Sequence, residues 1–350
     1  VGVGLSVLGS AWVCDDAWIS FRMIDHLSLG HGLVYNVGER VLAATHPLWL
    51  AVLAATTLVT GAHPALVALG VSLPLAVAAA HATLAGDRRR LILSALAMAG
   101  CKGFVDFATS GLEGPLVFAL VALFAQERMG PARTGRLGVL AGLMMCTRLD
   151  TALLVAPAML WGTHAFGRGW RAWLGGIPVA ATLLSCLVYY GSPLPNTAWA
   201  KLGAGIPIGD LAHQGMGYLV NSLTWDPVLG ATILVMGGAL LAGRAPRGSG
   251  PLAAGVLLSL LYTVMVGGDF MSGRFVAAPF VLALSVVARA EVPLAAFAGL
   301  TLLALAGPRS PLRSGPNYDA RELDSRGVAD ERGFYYQSSG LWPNLRADRD

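Results

Sequence analysis

The chain is a succession of apolar runs separated by short polar loops, and that alternation constrains its fold more than any motif does. The runs fall at about 1–13, 64–86, 91–108, 115–125, 137–145, 151–164, 173–189, 228–242, 252–266, 275–288 and 292–306. A helix needs about 20 apolar residues to cross a bilayer, so the shorter runs must recruit flanking residues, as 115–125 does toward Met129. The runs do not alternate as the strands of a membrane barrel would. They are rich in Ala, Leu, Val and Gly, and small residues suit closely packed transmembrane helices. With 55% of 350 residues hydrophobic and 13% charged, the chain has more apolar surface than one water-soluble core buries. An all-α polytopic membrane protein is the expected fold. The opening VGVGLSVLGSAWV reads as the end of a first span, since no cationic segment or cleavage site marks a signal peptide.

Charge sets the expected topology. If 47–61 lies at the interface or re-enters, then Arg88–Arg90, Arg128/Arg133/Arg136, Arg168/Arg171, Arg244/Arg247 and Arg289 all fall on one side. By the positive-inside rule that side is cytoplasmic, with about eleven crossings in all. The net charge of +4 is thus explained by topology, and no nucleic-acid partner is expected. The opposite side collects Asp15/Asp16, TSGLEG (109–114), TRLDT (147–151), YGSPLPNTAWAK (190–201) and GGDFMSGR (267–274). Residues 1–306 are expected to form the transmembrane catalytic module. The polar tail 307–350 is expected to be an extracytoplasmic linker or the opening of a soluble domain. No internal repeat of the inverted-repeat transporter kind is visible. Cys14, Cys101, Cys146 and Cys186 are far apart and make no metal-ligand spacing. HExxH, GxxxxGK[ST] and a GxGxxG in nucleotide-binding context are also missing from the sequence. No metal ligand or cofactor is therefore assigned, and a divalent cation beside Asp15/Asp16 stays open.

The outer loops hold the candidate chemistry. Trp18, Phe21, Ile24 and Leu27 recur at helical steps over 16–30, which predicts an amphipathic helix lying at the membrane surface. Asp15, Arg22 and His26 share one stripe of that helix. Asp15 or Asp16 either caps the helix or serves as a general base, because a carboxylate near hydrocarbon has its proton affinity raised. Glycines around Asp269 and Arg274 permit a tight turn, and the arginine offers a fork of donors suited to phosphate. Arg148 and Asp150 form a structural ion pair or contact a ligand. Asn196 and Lys201 follow two helix-stopping prolines. Glu113 caps the next helix or points into the site, and His46 is an interfacial aromatic or a site residue. Lys102 and Asp106, one turn apart, can pair with each other.

Taken in order over residues 15–280, DDAWISFR, GHGLVYNVGERV, THPLW, TSGLE, RLD, GSPLPNTAWAK and GGDFMSGRF resemble the terminal β-(1→2)-arabinofuranosyltransferase family of the actinobacterial cell wall. That family belongs to the GT-C superfamily of integral-membrane glycosyltransferases. The resemblance implies a GT-C helix bundle, a polyprenyl-phosphate sugar donor (decaprenyl-phosphoryl-arabinofuranose) and an extracytoplasmic cell-wall glycan acceptor. It places the superfamily's catalytic acids at Asp15 and Asp16. Donor and acceptor contacts would then come from Arg22, His46, Glu113, Arg148, Asp150, Asn196, Lys201, Asp269 and Arg274. Relatives usually carry Asn-Pro-Leu-Trp where this chain has His46-Pro47-Leu48-Trp49, and proline at Val37, so transfer of another lipid-linked sugar such as mannose is the alternative. A transporter or lipid flippase would instead place ionisable groups in mid-span, and a non-catalytic scaffold would need no acidic pair.

Overall fold

The computed structural model describes residues 2–131, 133–161, 170–202, 205–318 and 323–347. Every regular element among them is a helix. Two helices are long and apolar enough to cross a membrane, Pro64–Thr83 and Trp170–Tyr190. A third counts if Ile208–Trp225 and Pro227–Leu241, bent by 100° at their junction, form one broken span. Other apolar helices, among them Pro47–Thr60, Ser249–Met265, Arg274–Val287 and Leu294–Ala306, have 10–17 residues. Pro47, Pro64, Pro115 and Pro227 open their helices, where a missing N–H costs nothing. Left-handed Gly61 closes the Pro47–Thr60 helix, and left-handed Gly191 closes Gly176–Tyr190.

One expected run is not a single helix. The stretch 91–108 divides at Cys101, whose backbone is extended, into Arg88–Gly100 and Lys102–Phe107. The break meets the bend at Asp226, whose Oδ2 accepts from the Gly103 amide at 2.8 Å and from the Cys101 thiol at 3.3 Å. Hydropathy cannot register such a break, because what permits it is a partner 123 residues away.

Lys102 and Asp106 do pair, but not only with each other. Lys102 Nζ also donates to Asp330 Oδ1 at 2.8 Å, and Arg332 Nε to Asp106 Oδ1 at 2.5 Å. Arg309 and Tyr318 complete the shell of Asp330 at 2.9 and 2.8 Å. Arg332 is fully buried. Buried charges are tolerated only with such mutual pairing, so this network fixes the 323–347 segment against the helices. Further contacts hold it: Ala329 bridges to Met271, and Tyr336 and Trp342 donate to the carbonyls of Gly9 and Leu8.

Candidate active site

Three backbone and side-chain anchors bring the 10–16, 46–49 and 106–113 segments together. Cys14 N donates to Ser110 O at 2.9 Å, Trp12 Nε1 to Asp106 O at 2.8 Å and Trp49 Nε1 to Gly111 O at 2.9 Å. Gly111 has φ +83°, and a Cβ there would stand 2.7 Å from that of Ala17, so glycine alone lets the 109–113 loop approach the 17–28 helix. The result places Asp15/Asp16 beside the TSGLEG loop.

Glu113 is the hub, 2% exposed. Its Oε1 accepts from Arg148 at 2.8 Å and from Arg274 at 3.3 Å, and its Oε2 lies 3.1 Å from His46 Nδ1. It makes no side-chain cap bond to the helix it precedes, so the capping alternative does not hold. Burial alone would raise its pKa. Arg274, His46 and Arg148 outweigh burial and hold the carboxyl well below the usual range. His46 is buried, not interfacial, and its Nε2 meets Ser20 Oγ at 2.8 Å.

The two arginines are bound differently. Arg148 grips Asp150 with two hydrogen bonds at 2.9 and 2.7 Å, the bidentate geometry of a strong pair. Arg274 reaches Asp269 and Glu113 only at 3.3 Å each, and Asp16 at 4.0 Å. It opens its helix directly after Gly273, φ +81°, in the turn the glycines of the sequence predict. A small cavity of about 40 Å³ opens between Glu113, Arg148, Asp150, Arg274 and Phe275, room for a water molecule.

Asp15 and Asp16 differ too. Asp15 Oδ1 accepts from Asp16 N at 2.7 Å, and its Oδ2 from Tyr335 at 3.2 Å. Asp16 stands at the start of the 17–28 helix but makes no side-chain cap bond, and among the described residues its carboxyl accepts no hydrogen bond. Burial raises its pKa, with Arg274 opposing and Asp15, Asp269 and Glu113 adding to the rise.

Of the residues singled out in the sequence, Asp16, His46, Glu113, Arg148, Asp150, Asp269 and Arg274 therefore form one connected cluster, with Asp15 at its edge. Arg22 does not join it. Its guanidinium binds the Tyr35 carbonyl at 2.9 Å and stacks on the Tyr35 ring. His26 holds the same loop at Val34 O, whereas Asp15 precedes the helix, so the expected stripe of three resolves into a loop anchor without Asp15. Asn196 is exposed, its amide on Leu42 O, and the side chain of Lys201, like Arg168, lies outside the described residues. Within the 17–28 helix Phe21 and Ile24 are buried as expected, but Trp18 is 49% exposed.

Sequence reasoning missed Ser20 and two tail residues, Glu331 and Tyr335. The tail's Asp330-Glu331 is a second adjacent acid pair, the same signal that singled out Asp15/Asp16. Among the described residues no group of three His, Cys, Asp or Glu side chains is arranged to hold a metal ion. Beside His46 an apolar trench of about 450 Å³ runs between the 47–60 and 176–190 helices, lined by Leu42, Pro47, Leu50, Ala51, Cys186 and Tyr190 among others.

No family model matches the sequence, and no solved structure is significantly similar. Two relatives are. A protein of Mycobacterium tuberculosis named terminal beta-(1->2)-arabinofuranosyltransferase is 30% identical over an alignment of 406 positions covering 94% of this chain and 63% of the relative. A Corynebacterium glutamicum protein of the same name is 30% identical over 315 positions, 74% of this chain and 45% of the relative. The chain thus spans under two thirds of the length of either relative. Similarity over 94% of its own sequence supports the terminal β-(1→2)-arabinofuranosyltransferase family that the motifs of the chain suggest.

Proposed function

We propose that this protein is a multi-pass membrane glycosyltransferase that moves arabinofuranose from a polyprenyl-phosphate donor, decaprenyl-phosphoryl-arabinofuranose, to a cell-wall glycan on the outer face of the plasma membrane. The observation that carries the reading is the pairing of Asp16, a carboxylate that accepts no hydrogen bond among the described residues, with the loosely held guanidinium of Arg274 4.0 Å away. Transfer from a lipid phosphate requires a base for the acceptor hydroxyl and a cation for the departing phosphate within one sugar's reach. Asp16 is the base in this reading. Arg274 is the phosphate clamp, because its 3.3 Å contacts are weaker than those of a committed ion pair and can be exchanged for phosphate oxygens. Arg148, held bidentately, is structural. The apolar trench supports a lipid-linked donor, since a prenyl chain needs an apolar path that ends near the charged cluster.

Turnover of lipid-phosphoryl-arabinofuranose by the protein in nanodiscs, with a synthetic arabinan acceptor, tests the reading. Activity only with a mannose donor would replace the sugar, and no activity with any lipid-phosphate sugar would remove the reading altogether. Within the same assay Arg274→Lys should keep part of the activity and Arg274→Ala lose most of it. If Arg274 serves only to neutralise Asp269, the double change Arg274→Ala with Asp269→Asn should restore what the single change loses. The expectation is no recovery.

Sidedness is checked by cysteine accessibility in intact cells. Position 16 should label from outside and position 89 should not, as the charge bias requires. Labelling of position 89 from outside would invert the topology.

A further inference from the structure

Glu331 is 7% exposed, and its Oε2 is buried with no hydrogen-bond partner among the described residues. Its neighbours leave it little freedom. Asp330 and Arg332 are locked into the Lys102/Asp106 network, and Tyr335, one helical turn on, donates to Asp15 Oδ2 at 3.2 Å. Glu331 is thereby set within hydrogen-bonding reach of Asp15. Two ionised carboxylates in contact repel strongly, and a proton between them turns an unsatisfied acceptor into a donor.

We propose that Glu331, carried to the site by the tail, shares a proton with Asp15 and acts as a positioning residue for the acidic pair. The proposal rests on the glycosyl-transfer reading. Neutral Glu331 donates to Asp15 in addition to the Asp16 amide on Oδ1 and the Tyr335 hydroxyl on Oδ2, so Asp15 is held by three donors and Asp16 is left to face the substrate. The groups around Glu331 are Asp15 and Asp16 from the loop before the 17–28 helix, Asp269 from the 267–273 loop and Tyr335 on its own helix, with Arg274 the cation at Asp16. Burial first, and then these acids, push the Glu331 carboxyl up to about 8. It is therefore protonated at neutral pH, and ionisation above that value puts a third negative charge against the pair.

The test uses the full-length protein in nanodiscs with two readouts. In wild type, kcat/KM should fall above about pH 8 toward the level of Glu331→Ala, while Glu331→Gln, a neutral donor, should keep turnover at neutral pH within about threefold and lose the alkaline fall. Infrared difference spectra of wild type against Glu331→Gln at neutral pH should show a protonated carboxyl that the variant lacks, and this readout needs no turnover. An alkaline fall unchanged in Glu331→Gln, or Glu331→Gln as impaired as Glu331→Ala, would overturn the proposal, as would sugar transfer by a wild type lacking that carboxyl band. The band without transfer of any lipid-linked sugar would instead overturn the functional reading and leave the shared proton standing.

Discussion

Asp16→Asn should slow sugar transfer by ~10²–10⁴-fold, the usual cost of removing a general base, while leaving thermal unfolding unchanged. The stability half of this expectation follows from geometry, because the Asp16 side chain caps no helix and its only ion-pair contact among the described residues is at 4.0 Å. The rate half follows from its environment. Burial, Asp15, Asp269 and Glu113 raise its proton affinity against the pull of Arg274, and a base works only when ionised. Activity in wild type should therefore climb as pH rises through the Asp16 pKa. Asp15→Asn should cost less, about tenfold, since it loses one hydrogen bond to an ionised group. Turnover rates of both variants measure this directly, and normal turnover by Asp16→Asn would move the base elsewhere.

Glu113→Ala should lower stability by about 3–5 kcal/mol, the range found when one partner is taken from a buried ion pair. Among the described residues only Glu113 touches all three of Arg148, Arg274 and His46, each from a different segment. Its removal leaves two arginines, 18% and 13% exposed at the side chain, facing each other with less negative charge between them. The pH dependence has a definite sign. The carboxyl is held below its unfolded-state value, so its contribution is complete above the ordinary carboxylate range and is lost only as pH falls toward the depressed value. Thermal unfolding of wild type and variant in nanodiscs, at neutral and at acid pH, checks both points. A variant as stable as wild type at neutral pH would mean that the three loops are held by their backbone anchors alone.

Much of the cluster was legible because its charged residues stand out in short loops between apolar runs. Asp16, Glu113, Arg148, Asp269 and Arg274 all sit in polar loops at the ends of apolar runs, which the charge bias of the sequence groups together. That logic assigns a side and not a neighbour, which is why Arg22 and Asn196 share the side yet stand apart from the cluster. The fold was legible as helical and apolar, but the break at Cys101 depends on Asp226, and the charges at Lys102 and Asp106 depend on Asp330 and Arg332. Those dependencies span 125 to 228 residues and leave no local pattern. Glu331 was passed over for the same reason: its segment has few aliphatic residues, and only the distant network reveals that it is held in place.

The docking of the tail also sets a clock on biogenesis. Tyr335 meets Asp15 across 320 positions of chain, and Trp342 reaches the Leu8 carbonyl across 334. At the usual rate of roughly 5–20 residues per second, some 15–65 s of translation separate the two sides of the Asp15–Tyr335 contact. During that interval Lys102 and Asp106 lack Asp330 and Arg332, with which they pair in the finished fold. A nascent chain stalled before residue 330 is thus expected to leave Asp15 without its Tyr335 contact. The helix at 331–339 must therefore be made before the loop at 15–16 has all its contacts.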